Sequence, residues 1–104
     1  MTTQEAGFGR YGKSFQEGLV QLIYDDRPFA DQLTDVLNGD FLELDYLRIF
    51  LRKITDYRDK YSRHPSVEAI ATILKTELDE EEEVLQRQVR EYFLRIHNRE
   101  LSDV

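Results

Sequence analysis

Cysteine is absent from this chain, which rules out a disulfide framework and a thiolate metal site and leaves the redox compartment open. Long hydrophobic runs are missing too. The longest are a few residues and no basic segment precedes them, so neither a signal peptide nor a membrane span is expected. A cytoplasmic location follows. Basic residues are scarce, 14 against 21 acidic ones, for a formal charge of −7. A protein that grips the nucleic-acid backbone needs the reverse balance, because Lys and Arg supply that affinity by neutralising phosphates. The charge points to a protein partner, with no direct nucleic-acid contact. Strand-like alternation, internal repeats and low-complexity linkers are likewise absent, so the expected class is all-α. At 104 residues the chain can form one domain with a core that needs no staples.

What is present is organised around the stretch from Phe41 to Tyr61. On a helix turning about 100° per residue, Leu44, Tyr46, Leu47, Phe50, Leu51, Ile54, Tyr57 and Tyr61 share one arc roughly 160° wide. A surface helix ordinarily shows an apolar stripe of about 100°. This helix is therefore expected at the centre of a bundle of about five, with others packed round it.

Residues 1–13, with Gly7, Gly9 and Gly12, read as an N-terminal tail. Ser14 and Glu17 have the spacing of a capping box, so a first helix is expected from Ser14 to near Asp25. Phe15, Leu19, Leu22 and Ile23 form its apolar face, and Gly18 inside it fits a close backbone approach. A second helix starts around Pro28, buries Phe29, Leu33, Val36 and Leu37, and stops at Asn38-Gly39. After the central helix and a turn through Pro65, Ser66 caps a fourth that carries Val67, Ile70, Ala71, Ile73 and Leu74. The last runs from Glu80 to about Leu101 behind Asp79, with Glu80 to Glu83 favoured by its dipole. Leu85, Val89, Tyr92, Phe93 and Ile96 form its buried stripe. Leu94 and Leu101 project roughly 120–140° away from Val89, a second apolar line that the domain's own core does not need. Residues 14–78 are thus expected to form a compact lobe and residues 79–104 a long C-terminal helix.

Gly7-Phe8-Gly9-Arg10-Tyr11-Gly12-Lys13-Ser14 fits the phosphate-loop pattern G-x-x-x-x-G-K-[ST], the sharpest enzyme hypothesis available. In that motif backbone amides cradle phosphates, with Lys13 and Ser14 placed for the terminal phosphate and magnesium, and a buried strand feeds the loop. Met1 to Ala6 is too polar for such a strand, and no later stretch offers one ending in a metal-binding Asp. Gly7, Gly12, Lys13 and Ser14 are therefore read as a chance match, and no cofactor is expected. His64 and His97 stand isolated, as surface residues. The Asp79 to Glu83 run lacks the alternating ligands and turn glycine of a calcium loop, so no metal is expected. No nucleophile, base and orienter set is visible, and no catalytic residue is assigned.

The order of signals from Ser14 to about Lys75 resembles the N-terminal domain of DnaB-type replicative helicases, most of all the bacteriophage versions. Tyr11-Gly12-Lys13-Ser14-Phe15-Gln16, Leu22, Asp25, Asp26, Phe29 and Leu33 carry the first part. The Gly39-Asp40-Phe41 corner, Arg48-Ile49-Phe50, Ile54, Pro65-Ser66, Ile70 and Leu74 carry the rest. The resemblance implies a non-catalytic all-α scaffold in a bacterial or phage-infected cell, with ATP hydrolysis in a separate motor domain. It also implies a helical lobe followed by a helical hairpin, whose pairing supports a hexamer built as a trimer of dimers and docks primase or a loader. The last helix would be the first hairpin arm, self-associating through residues 79–101, with Val84, Tyr92, Leu94 and Leu101 as interface candidates. The second arm, linker and motor would lie beyond Val104. A free-standing acidic helical adaptor is the alternative.

Overall fold

Five helices are present among the described residues: α1 (Gly12–Asp25), α2 (Arg27–Leu33), α3 (Asp45–Tyr61), α4 (Val67–Thr76) and α5 (Glu83–Ser102). The structure is a computed structural model that describes residues 12–33 and 42–102, residues 98–102 by backbone alone. The tail over 1–11 with Gly7, Val36, Leu37, the Asn38-Gly39 stop and the Gly39-Asp40-Phe41 corner lie outside these residues, as does the Leu101 side chain. No strand occurs among the described residues, and the class is all-α.

α3 is central, contacting α1, α4 and α5. Tyr46, Leu47, Ile49, Phe50, Leu51 and Ile54 are its buried residues. Phe50 is fully enclosed, its ring edge-on to Tyr24 at 5.7 Å and Tyr92 at 5.3 Å, and tilted against Phe93 at 6.3 Å. Burial along the arc ends at Ile54. Tyr57 is only half-buried and Tyr61 is exposed.

α3 begins at Asp45, later than the apolar pattern suggests, because Leu42 and Leu44 pack from an extended segment. Leu44 occupies the N-cap position and has no capping side chain. The buried Gln16 of α1 substitutes for one: its Oε1 accepts from the Glu43 amide at 2.9 Å and the Leu44 amide at 3.4 Å. A buried amide needs such partners, and the segment entering α3 needs an acceptor.

α1 departs from its expected face. Gln16, Val20, Ile23 and Tyr24 are buried, whereas Phe15 and Leu22 are exposed. Those two lie seven residues apart, on a line roughly 125–145° from the centre of the buried face. The capping box does not form either. α1 starts at Gly12, whose φ of 83° suits glycine, so Ser14 falls within the first turn and the Glu17 carboxylate is engaged elsewhere. Gly18 meets no close neighbour, contrary to the expected backbone approach.

α2 follows after the single residue Asp26, whose Oδ1 accepts from the Phe29 amide at 3.1 Å. Pro28 thus falls in the first turn, as its missing amide requires. Ser66 caps α4 as expected, its Oγ accepting from the Ala69 amide at 3.1 Å. α5 starts at Glu83, not Glu80, because Leu78 is fully buried and a turn closes through the Glu81 amide onto the Leu78 carbonyl at 3.0 Å. Val89, Tyr92, Phe93 and Ile96 then join the core formed by α1, α3 and α4. The boundary expected between residues 78 and 79 is therefore not a break in the core.

Candidate functional site

Three places collect chemistry or unpartnered apolar surface. The first is the seam between α1 and α5. The Glu17 carboxylate accepts from Arg95 Nη1 at 2.9 Å and Nη2 at 3.0 Å, and Tyr46 Oη donates to the same carboxylate at 2.5 Å. Tyr92 Oη donates to the Glu17 carbonyl at 2.6 Å. Burial alone would raise the carboxyl pKa, but hydrogen bonds from Arg95 and Tyr46, with the Arg95 charge, outweigh that and hold it below the ordinary value. Burial, then the neighbouring Glu17, pushes the Tyr46 hydroxyl up to about 12. Burial first, then the Glu17 charge, raises Tyr92 as well. Both carboxylate oxygens are committed to a guanidinium fork. This geometry locks helices together and presents no free acid or base.

The second place lies where α2, the end of α3 and the α3–α4 turn meet. Arg58 donates from Nη2 to Asp31 Oδ1, and its Nη1 lies 2.8 Å from His64 Nδ1. His64 Nε2 lies 2.7 Å from the Tyr24 carbonyl. A carbonyl can only accept and a guanidinium can only donate, so His64 carries its proton on Nε2 and accepts at Nδ1. Ser62, left-handed at φ 56°, donates its amide to the Arg58 carbonyl and turns the chain so that Arg63 and His64 follow directly beside Arg58. Arg27, Asp31, Arg58, Ser62, Arg63 and His64 line a recess of about 200 Å³. His64 is thus no isolated surface histidine. Its partners lie 6 and 40 residues away in sequence, and no local pattern reveals them.

The third place is the outward side of α5. Val84 and Leu94 are each about half exposed, at 52% and 53%. With the exposed Arg87 and Glu91 they occupy an arc of roughly 80° directly opposite the core stripe. Tyr92 is a correction among the interface candidates: it is fully buried and hydrogen-bonded to α1, so it offers no contact surface. Gly12, Lys13 and Ser14 lie at the exposed start of α1. His97 is half-buried, its ring parallel to Phe93 at 6.0 Å. Among the described residues no group of three or more His, Cys, Asp or Glu is placed to hold a metal ion. Nor is any helix there long and apolar enough to cross a membrane.

No protein-family model, no curated protein and no solved structure matches the chain.

Proposed function

We propose that this chain is a non-catalytic protein-interaction domain that self-associates through α5, in the manner of the N-terminal scaffold of a DnaB-type replicative helicase. The observation that carries the reading is the half-exposed pair Val84 and Leu94 on the side of α5 opposite the core. Their spacing suits a second copy laid antiparallel about a twofold axis level with Val89. Val84 then faces the partner's Leu94, Arg87 faces the partner's Glu91, and the twofold repeats both pairs. Apolar and charge complementarity coincide in that register. One helix pair buries less than the roughly 1,200 Å² of an ordinary stable interface, so the association is weak and concentration-dependent unless further surface joins it.

The helicase role is supported by the order of sequence signals from Ser14 to Lys75 and by the all-α architecture. In that role the domain raises the local concentration of motor domains, and of primase or a loader, without chemistry of its own. A coding sequence that reads on from Val104 into an ATPase motor favours the helicase domain, and one that stops there favours a free-standing adaptor. Charge reversal tests the interface register. Arg87→Glu and Glu91→Arg should each weaken dimerisation in sedimentation equilibrium, and the double variant should recover it. A double variant no better than either single one would refute the register.

A further inference from the structure

The recess at the α2, α3 and α3–α4 junction has no part in self-association through α5. Its charge is at odds with the rest of the molecule. In a chain of formal charge −7, it gathers Arg27, Arg58 and Arg63 around one carboxylate, Asp31. With His64 neutral, that leaves a local charge of +2 from three guanidinium groups and one acid. Arg58 is already oriented: its side chain is 16% exposed and is held between Asp31 and His64, which is itself anchored to the α1 backbone. Two of its five donors are used, so others remain for a ligand. Arg27 and Arg63 are exposed and make no ion pair among the described residues. Hydrogen bonding from Arg58 holds the Asp31 carboxyl below its usual range, and the charges of Arg58 and Arg27 act in the same direction. Arg27 is therefore close enough to act on whatever anion the recess holds.

We propose that this recess binds a phosphate group, with Arg27 and Arg63 as the gripping residues, Arg58 as a fixed donor behind them, and Asp31 and His64 as positioning residues. A local charge of +2 matches a phosphate dianion, and planar guanidinium forks match its oxygen geometry. The volume of about 200 Å³ is below the roughly 300–1,000 Å³ of sites that enclose a whole drug-sized ligand. The recess therefore takes the phosphate group and leaves any attached body outside.

Titration calorimetry on the full chain, with inorganic phosphate and with adenosine 5′-monophosphate at matched ionic strength, tests this. Both should bind. Equal affinity identifies the bare phosphate group as the ligand, whereas tighter binding of the nucleotide identifies a phosphate ester. Arg27→Gln and Arg63→Gln remove exposed cations that make no ion pair among the described residues, so helicity by circular dichroism should be unchanged. Each should weaken binding by about tenfold, the loss of one charge-assisted contact. Lys53→Gln, at a basic residue in the middle of α3 that does not line the recess, should leave binding unaltered. Absence of binding by either ligand, or equal weakening by all three variants, would overturn the proposal.

Discussion

Two of the arginine–carboxylate pairs among the described residues, Glu17–Arg95 and Asp31–Arg58, are built in opposite senses. At the first, the acid is sheltered, with its side chain 12% exposed, and the arginine reaches in from a side chain 46% exposed. At the second, the arginine is sheltered at 16% and the acid is 53% exposed. The sheltered Glu17 has Arg95 and Tyr46 on its carboxylate and Tyr92 on its backbone carbonyl, which closes the α1–α5 seam. The sheltered Arg58 has donors left over and two further arginines beside it. The sign of the buried partner thus separates a structural clamp from a site with capacity for a ligand.

That contrast can be broken most strongly at Glu17. Glu17→Ala leaves Tyr46 and Arg95 without their acceptor and should cost about 1–3 kcal/mol in urea denaturation, the range for losing a charge-assisted hydrogen bond next to a core. Tyr92→Phe removes a single hydroxyl from the same seam, and a loss of about 0.5–1.5 kcal/mol is expected by the same measurement. Acid titration sharpens the comparison further. The Glu17 carboxyl is depressed in the folded state, so the unfolded chain takes up its proton first. Its contribution is complete above the ordinary carboxylate value of about 4.3 and disappears as pH falls through the lower folded value. A Glu17→Gln chain should show a flatter stability curve on that acidic side than the wild type. Asp31→Ala should move the urea midpoint least, since Asp31 is exposed and exposed ion pairs are screened. A midpoint shift at Asp31 equal to that at Glu17 would erase the distinction.

Local signals made much of the fold legible. Ser66 marks the start of α4, Pro28 falls in the first turn of α2, and the wide apolar arc of residues 46–54 identifies α3 as the central helix. The sequence also distinguishes the buried stripe of α5 from Leu94 on its far side. What it hides depends on contacts distant in the chain. Ser14 and Glu17 have capping-box spacing, yet Glu17 is drawn to Arg95, 78 residues away, and helix α1 starts earlier. Gln16 looks like a surface residue until the amides of Glu43 and Leu44 are brought onto it. Phe15 and Leu22 look like core from hydrophobicity alone, but α1 turns inward the side that carries Gln16, Val20, Ile23 and Tyr24, where Gln16 also serves the entry to α3. His64 likewise acquires its role only when Arg58 and the end of α1 converge. The recess beside it has no sequence motif, since Arg27 and Asp31 of α2 meet the stretch from Arg58 to His64 only through the fold.

The central claim, that α5 keeps one side for the core and offers the other to a second copy, is tested most directly by the solution mass. Light scattering over a wide concentration range should show the 12.4 kDa chain rising toward twice that mass. Leu94→Asp, at an exposed position, should hold it at the monomer mass while leaving the fold intact. A wild-type chain that stays monomeric throughout, or a Leu94→Asp chain that dimerises as the wild type does, would contradict the assignment of α5 as the interaction surface.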